Sequence, residues 1–245
     1  MQKSYLKAAD LIGYGVRTTD EGEAGLRDLV IDAALWTVPY VLVDAEAWAP
    51  GHDVLVALRS LAAVDEAARA MDVELTLEEV RDSPTLATDA PVARDYEENW
   101  YRHEGWEEQW SVEASTVDAS EPVEPASPPV EEPLPGEVNA QGPGLVRFEE
   151  LRLWQGETSD GEAVKAVDLL VDDSDWSVAY VEVELDAGEA TESCLVERTL
   201  IGDLDRETER LYLDAAASAL RDAPLRSYPG AGEEREVRIL EGVTP

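Results

Sequence analysis

Three pairs of aspartates are the residues best placed to do chemistry in this chain: Asp20 and Asp160, Asp28 and Asp168, Asp32 and Asp172. Carboxylates gathered in one place bind hard cations such as calcium through oxygen ligands. The run Asp172-Asp173-Ser174-Asp175 has the beginning of such a loop, but it lacks the Gly and the terminal Glu that an EF-hand loop requires. A short Asp ahead of a Trp has a simpler use, because Asx side chains accept hydrogen bonds from the backbone of a hairpin turn. We therefore read the paired acids as turn formers and expect no metal.

Other catalytic groups are sparse. The two histidines, His52 and His103, cannot make a transition-metal cluster within one chain, and neither lies in a nucleophile motif such as Gly-x-Ser-x-Gly. Cys194 sits in the strand-like run ESCLVE, where a small buried filler is expected rather than a reactive thiol. A single cysteine also rules out an internal disulfide and fits a reducing compartment. Without a Gly-rich phosphate loop either, the chain is expected not to be an enzyme and to carry no cofactor.

The paired acids share one spacing because a long stretch of sequence recurs. Shifted by 140 residues, Leu11 falls on Leu151, Thr18 on Thr158, Asp28-Leu29 on Asp168-Leu169, and Arg81-Asp82 on Arg221-Asp222. Trp36, Val38, Tyr40, Val41 and Val43 fall on Trp176, Val178, Tyr180, Val181 and Val183. Solenoid repeats have periods of roughly 20 to 50 residues, so a period this long implies two copies of a whole domain.

In the first copy, residues 4–10 are a short lead-in. Strands are expected at 14–19, 26–32, 36–44, 54–58, 61–65 and 71–75, from alternation, β-branching and polar turns. Six short strands suggest a small closed barrel. Thr76 with Glu79 three residues on has capping-box spacing and predicts a brief helix stopped at Ser83-Pro84.

These residues carry a resemblance. Leu11-Ile12-Gly13, Trp36-Thr37-Val38, Tyr40-Val41-Leu42-Val43-Asp44, Pro50-Gly51, Ser83-Pro84 and Pro91-Val92-Ala93-Arg94 are similar to the PRC-barrel family, that of the cytoplasmic domain of the photosynthetic reaction-centre H subunit. The likeness covers most of residues 5–110 and includes the aromatic tail of a bacterial stand-alone subgroup. It departs from that subgroup at Pro39, where an Arg is usual, and at Ala57-Leu58, where Ser-Pro is usual. Proline has no ladder donor, so Pro39 should mark an edge or a bulge.

The resemblance implies an all-β fold of two small PRC-type barrels in tandem, each with a short helix. The expected domains are 1–110, a disordered acidic Pro-rich linker at 111–144 that holds half of the 14 prolines, and a divergent second barrel at 145–245. An alternating strand at 235–240 closes that barrel or lies on it. Within the tail, Tyr96, Trp100, Trp106 and Trp110 share an apolar helical face. We read it as a cover for its own barrel, the rival being an exposed interaction surface for a partner.

A net charge of −36 repels nucleic acid and anionic membranes, and it suits a salt-rich, halophilic setting. With no signal-like or membrane-spanning apolar run, the expected location is cytoplasmic. The function expected is that of a protein-binding adaptor with an unidentified protein partner, homo-oligomers included. The resemblance implies two alternatives: an H-subunit-like role in photosynthetic electron transport and a ribosome-maturation-like role in assembly.

Overall fold

The computed structural model describes residues 5–47, 52–83, 85–87, 144–186, 191–230 and 235–242. Among them the fold is all-β apart from four helices of four to six residues. The first half runs β1 (Tyr5–Lys7), α1 (Ala8–Leu11), β2 (Gly15–Arg17), β3 (Glu23–Asp32), β4 (Thr37–Asp44) and β5 (His52–Ala57). It continues with β6 (Leu61–Asp65), β7 (Ala70–Val73), α2 (Leu77–Asp82) and β8 (Thr85–Ala87). The second half repeats the order with β9 (Leu145–Arg147), α3 (Phe148–Leu151), β10 (Gln155–Glu157), β11 (Ala163–Asp172), β12 (Val178–Asp186) and β13 (Thr191–Glu197). There follow β14 (Ile201–Asp205), β15 (Arg210–Leu213), α4 (Ala217–Asp222), β16 (Leu225–Ser227) and β17 (Glu236–Leu240).

The two sheets have matching strand orders. The first is β6-β7-β2-β3-β4-β5-β8 and the second β14-β15-β10-β11-β12-β13-β17-β16, so that β17 alone is inserted, between β13 and β16. The exceptional backbone angles match too. Trp36 and Trp176 both have left-handed backbones (φ 54° and 57°), as do Arg69 and Glu209 (φ 51° and 53°). Each Trp closes a turn in which its amide donates to the carbonyl of Asp32 or Asp172. Pro39 lies where the β3–β4 register shifts between Val30 and Asp32. The missing donor is tolerated at that bulge although β4 is flanked by strands on both sides.

The halves trade their first strands. β1 pairs with β11, setting Leu6 opposite Val171, while β9 pairs with β3, setting Val146 opposite Ile31. The reason lies in the length of the third strand. β2 pairs only with Glu23 to Gly25 of β3, which leaves one edge of residues 30–32 to be filled by the strand from the other half. The lead-in expected at residues 4–10 is thus a strand and a helical turn belonging to the other half's sheet. Neither strand path closes on itself among the described residues. One isolated bridge, Tyr5 with Gly230, brings β1 beside the chain leaving β16.

Burial follows from this exchange. Leu29, Val30 and Ile31 are all fully buried, because β3 is covered on both faces. Leu29 and Ile31 enter the main core, which is continuous across both halves and includes Leu6, Leu11, Phe148 and Leu151. Val30 packs on the other face with Leu42, Leu55 and Leu145, and Leu170 is held similarly among Leu195, Tyr228, Val237 and Ile239. The linker expected at 111–144 lies, but for Gly144, outside the described residues, as does the aromatic tail. No helix among the described residues is long and apolar enough to cross a membrane.

Charge acts on this fold as a whole. At −36 the compact state repels itself, and the Debye length falls from about 10 Å at 0.1 M salt to about 3 Å at 1 M. The thermal midpoint is expected to rise as KCl is added over that range. Scanning calorimetry in a KCl series checks it, and a flat midpoint would mean that ion pairs such as Arg17–Asp72 already relieve the repulsion.

Candidate functional site

The paired aspartates are dispersed over three structural tasks. Asp20 accepts from the Leu77 amide at 2.9 Å and Asp160 from the Ala217 amide at 3.0 Å, so each caps the start of a short helix from a neighbouring hairpin. The hydroxyls of Thr18 and Thr158 also donate to them, and these bonds hold both carboxyls below the usual aspartate range. Asp32 accepts from the amides of Ala34 and Leu35, and Asp172 from Ser174, which are the Asx turns expected before each Trp. Among the described residues no group of three or more His, Cys, Asp or Glu is arranged to hold a metal ion.

The helix caps differ between the halves. Thr76 and Glu79 form the expected capping box on α2, whereas α4 begins at Ala216, which has no capping side chain. Asp160 is therefore the side-chain cap seen at α4. Asp160→Ala is expected to cost about 1 to 2 kcal/mol and Thr76→Ala less, since Asp20 still caps α2. Denaturant unfolding of the two variants compares them.

Asp28 and Asp168 sit where the halves interlock. Asp28 is fully buried and accepts from the Leu29 amide at 2.8 Å, from the Glu149 amide at 3.3 Å and from Arg147 Nε at 2.9 Å. Asp168 accepts from the Leu169 and Ala9 amides at 2.8 and 3.0 Å, with Lys7 Nζ at 3.8 Å. Residues 7 and 9 of one half thus do for Asp168 what residues 147 and 149 do for Asp28. Burial pushes both carboxyls up to about 6, against the lowering effect of the basic side chains and amides that reach them from the other half.

A second reciprocal contact lies at the two tryptophans. The Val38 amide donates to the Trp176 carbonyl at 2.9 Å and the Val178 amide to the Trp36 carbonyl at 2.8 Å. Beside this contact, the halves enclose an open cleft of about 730 Å³. Ala33, Ala34 and Trp36 supply one wall, and Arg198, residues 202–207 and Tyr212 supply the other. The Arg198 guanidinium lies 5.0 Å from the centre of the Trp36 ring. It makes no ion pair among the described residues, its Nε has no acceptor, and burial lowers its pKa. Asp203, Asp205 and Glu207 line the same cleft, so the wall carries both signs of charge.

Scanned against models of known protein families, the sequence matches none, and comparison with curated proteins finds no match.

The candidates read from sequence are therefore distributed as follows. Tyr96, Trp100, Trp106, Trp110 and His103 lie outside the described residues. His52 is exposed at the start of β5. Cys194 is buried in β13, and burial pushes its thiol up to about 11, which suits a core filler and not a nucleophile. Arg147 and Arg198 were not foreseen. A signal for the second existed in the repeat, where Arg198 replaces Leu58 between otherwise similar strands.

Proposed function

We propose that this chain is a non-enzymatic protein-interaction module of the PRC-barrel type, two related domains fused into one adaptor. The observation that carries the reading is the reciprocal exchange of β1 and β9, which ties both halves into one body and sets a cleft along their seam. Matching strand orders and paired left-handed tryptophans support a tandem origin. The Tyr5–Gly230 bridge supports a barrel in the second half, with β1 as the closing stave. The paired acids support a binding role because they are engaged in caps, turns and the seam.

A partner would gain contacts from both halves at once without ordering them first. Affinity capture from host extract, at the host's own salt, tests this with three baits: the full chain, Arg198→Glu, and the chain lacking residues 96–110. A protein retained by the full chain and lost from one variant identifies the surface used. Identical capture by all three baits counts against both surfaces, and turnover of a small molecule by the purified chain would overturn the reading.

A further inference from the structure

A second cleft, distant in sequence from the seam residues, lies against the β10–β11 hairpin and encloses about 370 Å³. Trp154 lines it. This side chain is 2% exposed, yet its indole N–H has no hydrogen-bond acceptor. A buried donor left without an acceptor is costly, and such groups are uncommon in native structures. Next to it Leu153 is 80% exposed, an unusual position for a large apolar side chain beside a cleft.

The charges around this cleft run against the rest of the molecule. Lys165 and Arg210 line it together with one acid, Glu157, and that acid is already paired with Arg210 at 2.8 Å. Lys165 makes no ion pair among the described residues, and Gln155 adds an amide at the rim. The lining thus carries a net positive charge in a chain with 55 acidic and 19 basic residues. The groups without partners, Trp154 Nε1 and Lys165 Nζ, are both donors.

The first half lacks this arrangement. Tyr14 stands in place of Trp154 and is covered by the Arg69 guanidinium 4.7 Å from its ring centre; Gly25 stands in place of Lys165. The cleft therefore does not follow from the fold that the halves share. It belongs to the second half's own side chains.

We propose that this cleft binds a carboxylate on a short aliphatic stem. Its oxygens would accept from the Trp154 indole and Lys165, and the stem would lie on Leu153. A neutral apolar ligand would leave both donors unmet, and a cation would face Lys165 and Arg210. The same chemistry can come from a free carboxylic acid or from a glutamyl side chain on another protein. This site is separate from the seam and does not depend on the function proposed above.

The test uses the full chain labelled with ¹⁵N, in which the indole resonance that disappears in Trp154→Phe is assigned to Trp154. Glutarate, the blocked pentapeptide Ala-Ala-Glu-Leu-Ala and its counterpart with Gln in place of Glu are titrated in 0.2 M and 1 M KCl. The expected result is a saturable shift of the Trp154 resonance with a carboxylate and binding roughly tenfold weaker for the Gln peptide, the scale of one charge-assisted hydrogen bond. Lys165→Gln, an exposed change that leaves the core intact, should weaken carboxylate binding by a similar factor. Higher salt should weaken it too. Comparable binding of glutarate and the Glu peptide assigns a small-molecule ligand, while tighter peptide binding assigns a protein partner; either supports the site. No shift with either carboxylate overturns the proposal, as does equal binding of the Gln peptide or an unchanged affinity in Lys165→Gln.

Discussion

Deleting residues 1–12 is expected to loosen the second half of the chain more than the first, although the deleted residues belong to the first. β1 lies in the second sheet, where Tyr5, Leu6 and Lys7 pair with Asp172, Val171 and Leu170. The Ala9 amide is a ligand of the buried Asp168. Leu6 and Leu11 are both nearly fully buried, and burying each such side chain contributes ~1.5 to 3 kcal/mol. The total loss is on the order of 5 kcal/mol, and at ~2 to 4 °C per kcal/mol the midpoint should fall by more than about 10 °C. Hydrogen exchange locates the effect: the amides of Leu170 to Asp172 should lose protection first. Loss confined to the first half would mean that each half keeps its own N-terminal strand. By the same logic, cutting at a protease site engineered between Ser111 and Gly144 should leave two fragments that remain associated until denaturant is added. From sequence alone, two separable folded fragments are expected.

Acidification from pH 7.5 to pH 5 is expected to stabilise the fold, and Asp28 and Asp168 are the named source. Both are raised from the model value of 3.8 to about 6. A raised carboxyl favours folding fully below its unfolded value, and that contribution is lost as pH rises through its folded value. At ~1.4 kcal/mol per unit, each acid accounts for on the order of 2 kcal/mol between these limits. Below about pH 4 the trend should reverse, because Asp20 and Asp160 have lowered values and lose their helix-capping contributions on protonation. Replacing both buried acids by Asn should flatten the slope between pH 5 and pH 7.5. The single changes should differ at pH 7.5. Asp28→Asn leaves Arg147, whose side chain is 16% exposed, without its carboxylate, and should destabilise by about 3 kcal/mol. Asp168→Asn gives up only the longer 3.8 Å contact with Lys7 and should be near neutral. Thermal melts of the three variants across this pH range decide it. An unchanged slope in the double variant would place the titration elsewhere.

Most of the local structure was legible in the residues themselves. Strand alternation located β2 to β7 to within a few residues, and the Thr76–Glu79 spacing announced a capping box that forms. Asp32 and Asp172 reveal their turns because Asx hydrogen bonds reach only two or three residues along the chain. Pro39 marked its bulge for the same local reason, since a residue without an amide donor disturbs its own ladder. The repeat at 140 residues predicted that whatever one half did the other would echo.

Tertiary structure decided which half each N-terminal strand serves. Nothing in Tyr-Leu-Lys or Leu-Val-Arg specifies whose edge it joins, because backbone pairing is the same chemistry on either sheet and the two β3-type strands leave the same gap. The role of Asp28 was hidden by the same distance. Its partner Arg147 lies 119 residues away, and the high cost of an unpaired buried charge acts only once the seam has formed. The two clefts are likewise products of packing, assembled from hairpins whose separate sequences read as ordinary exposed turns. A sequence fixes what each residue can bond to within reach of its own turn or strand; contacts across more than a hundred residues depend on which surfaces the folded chain brings together.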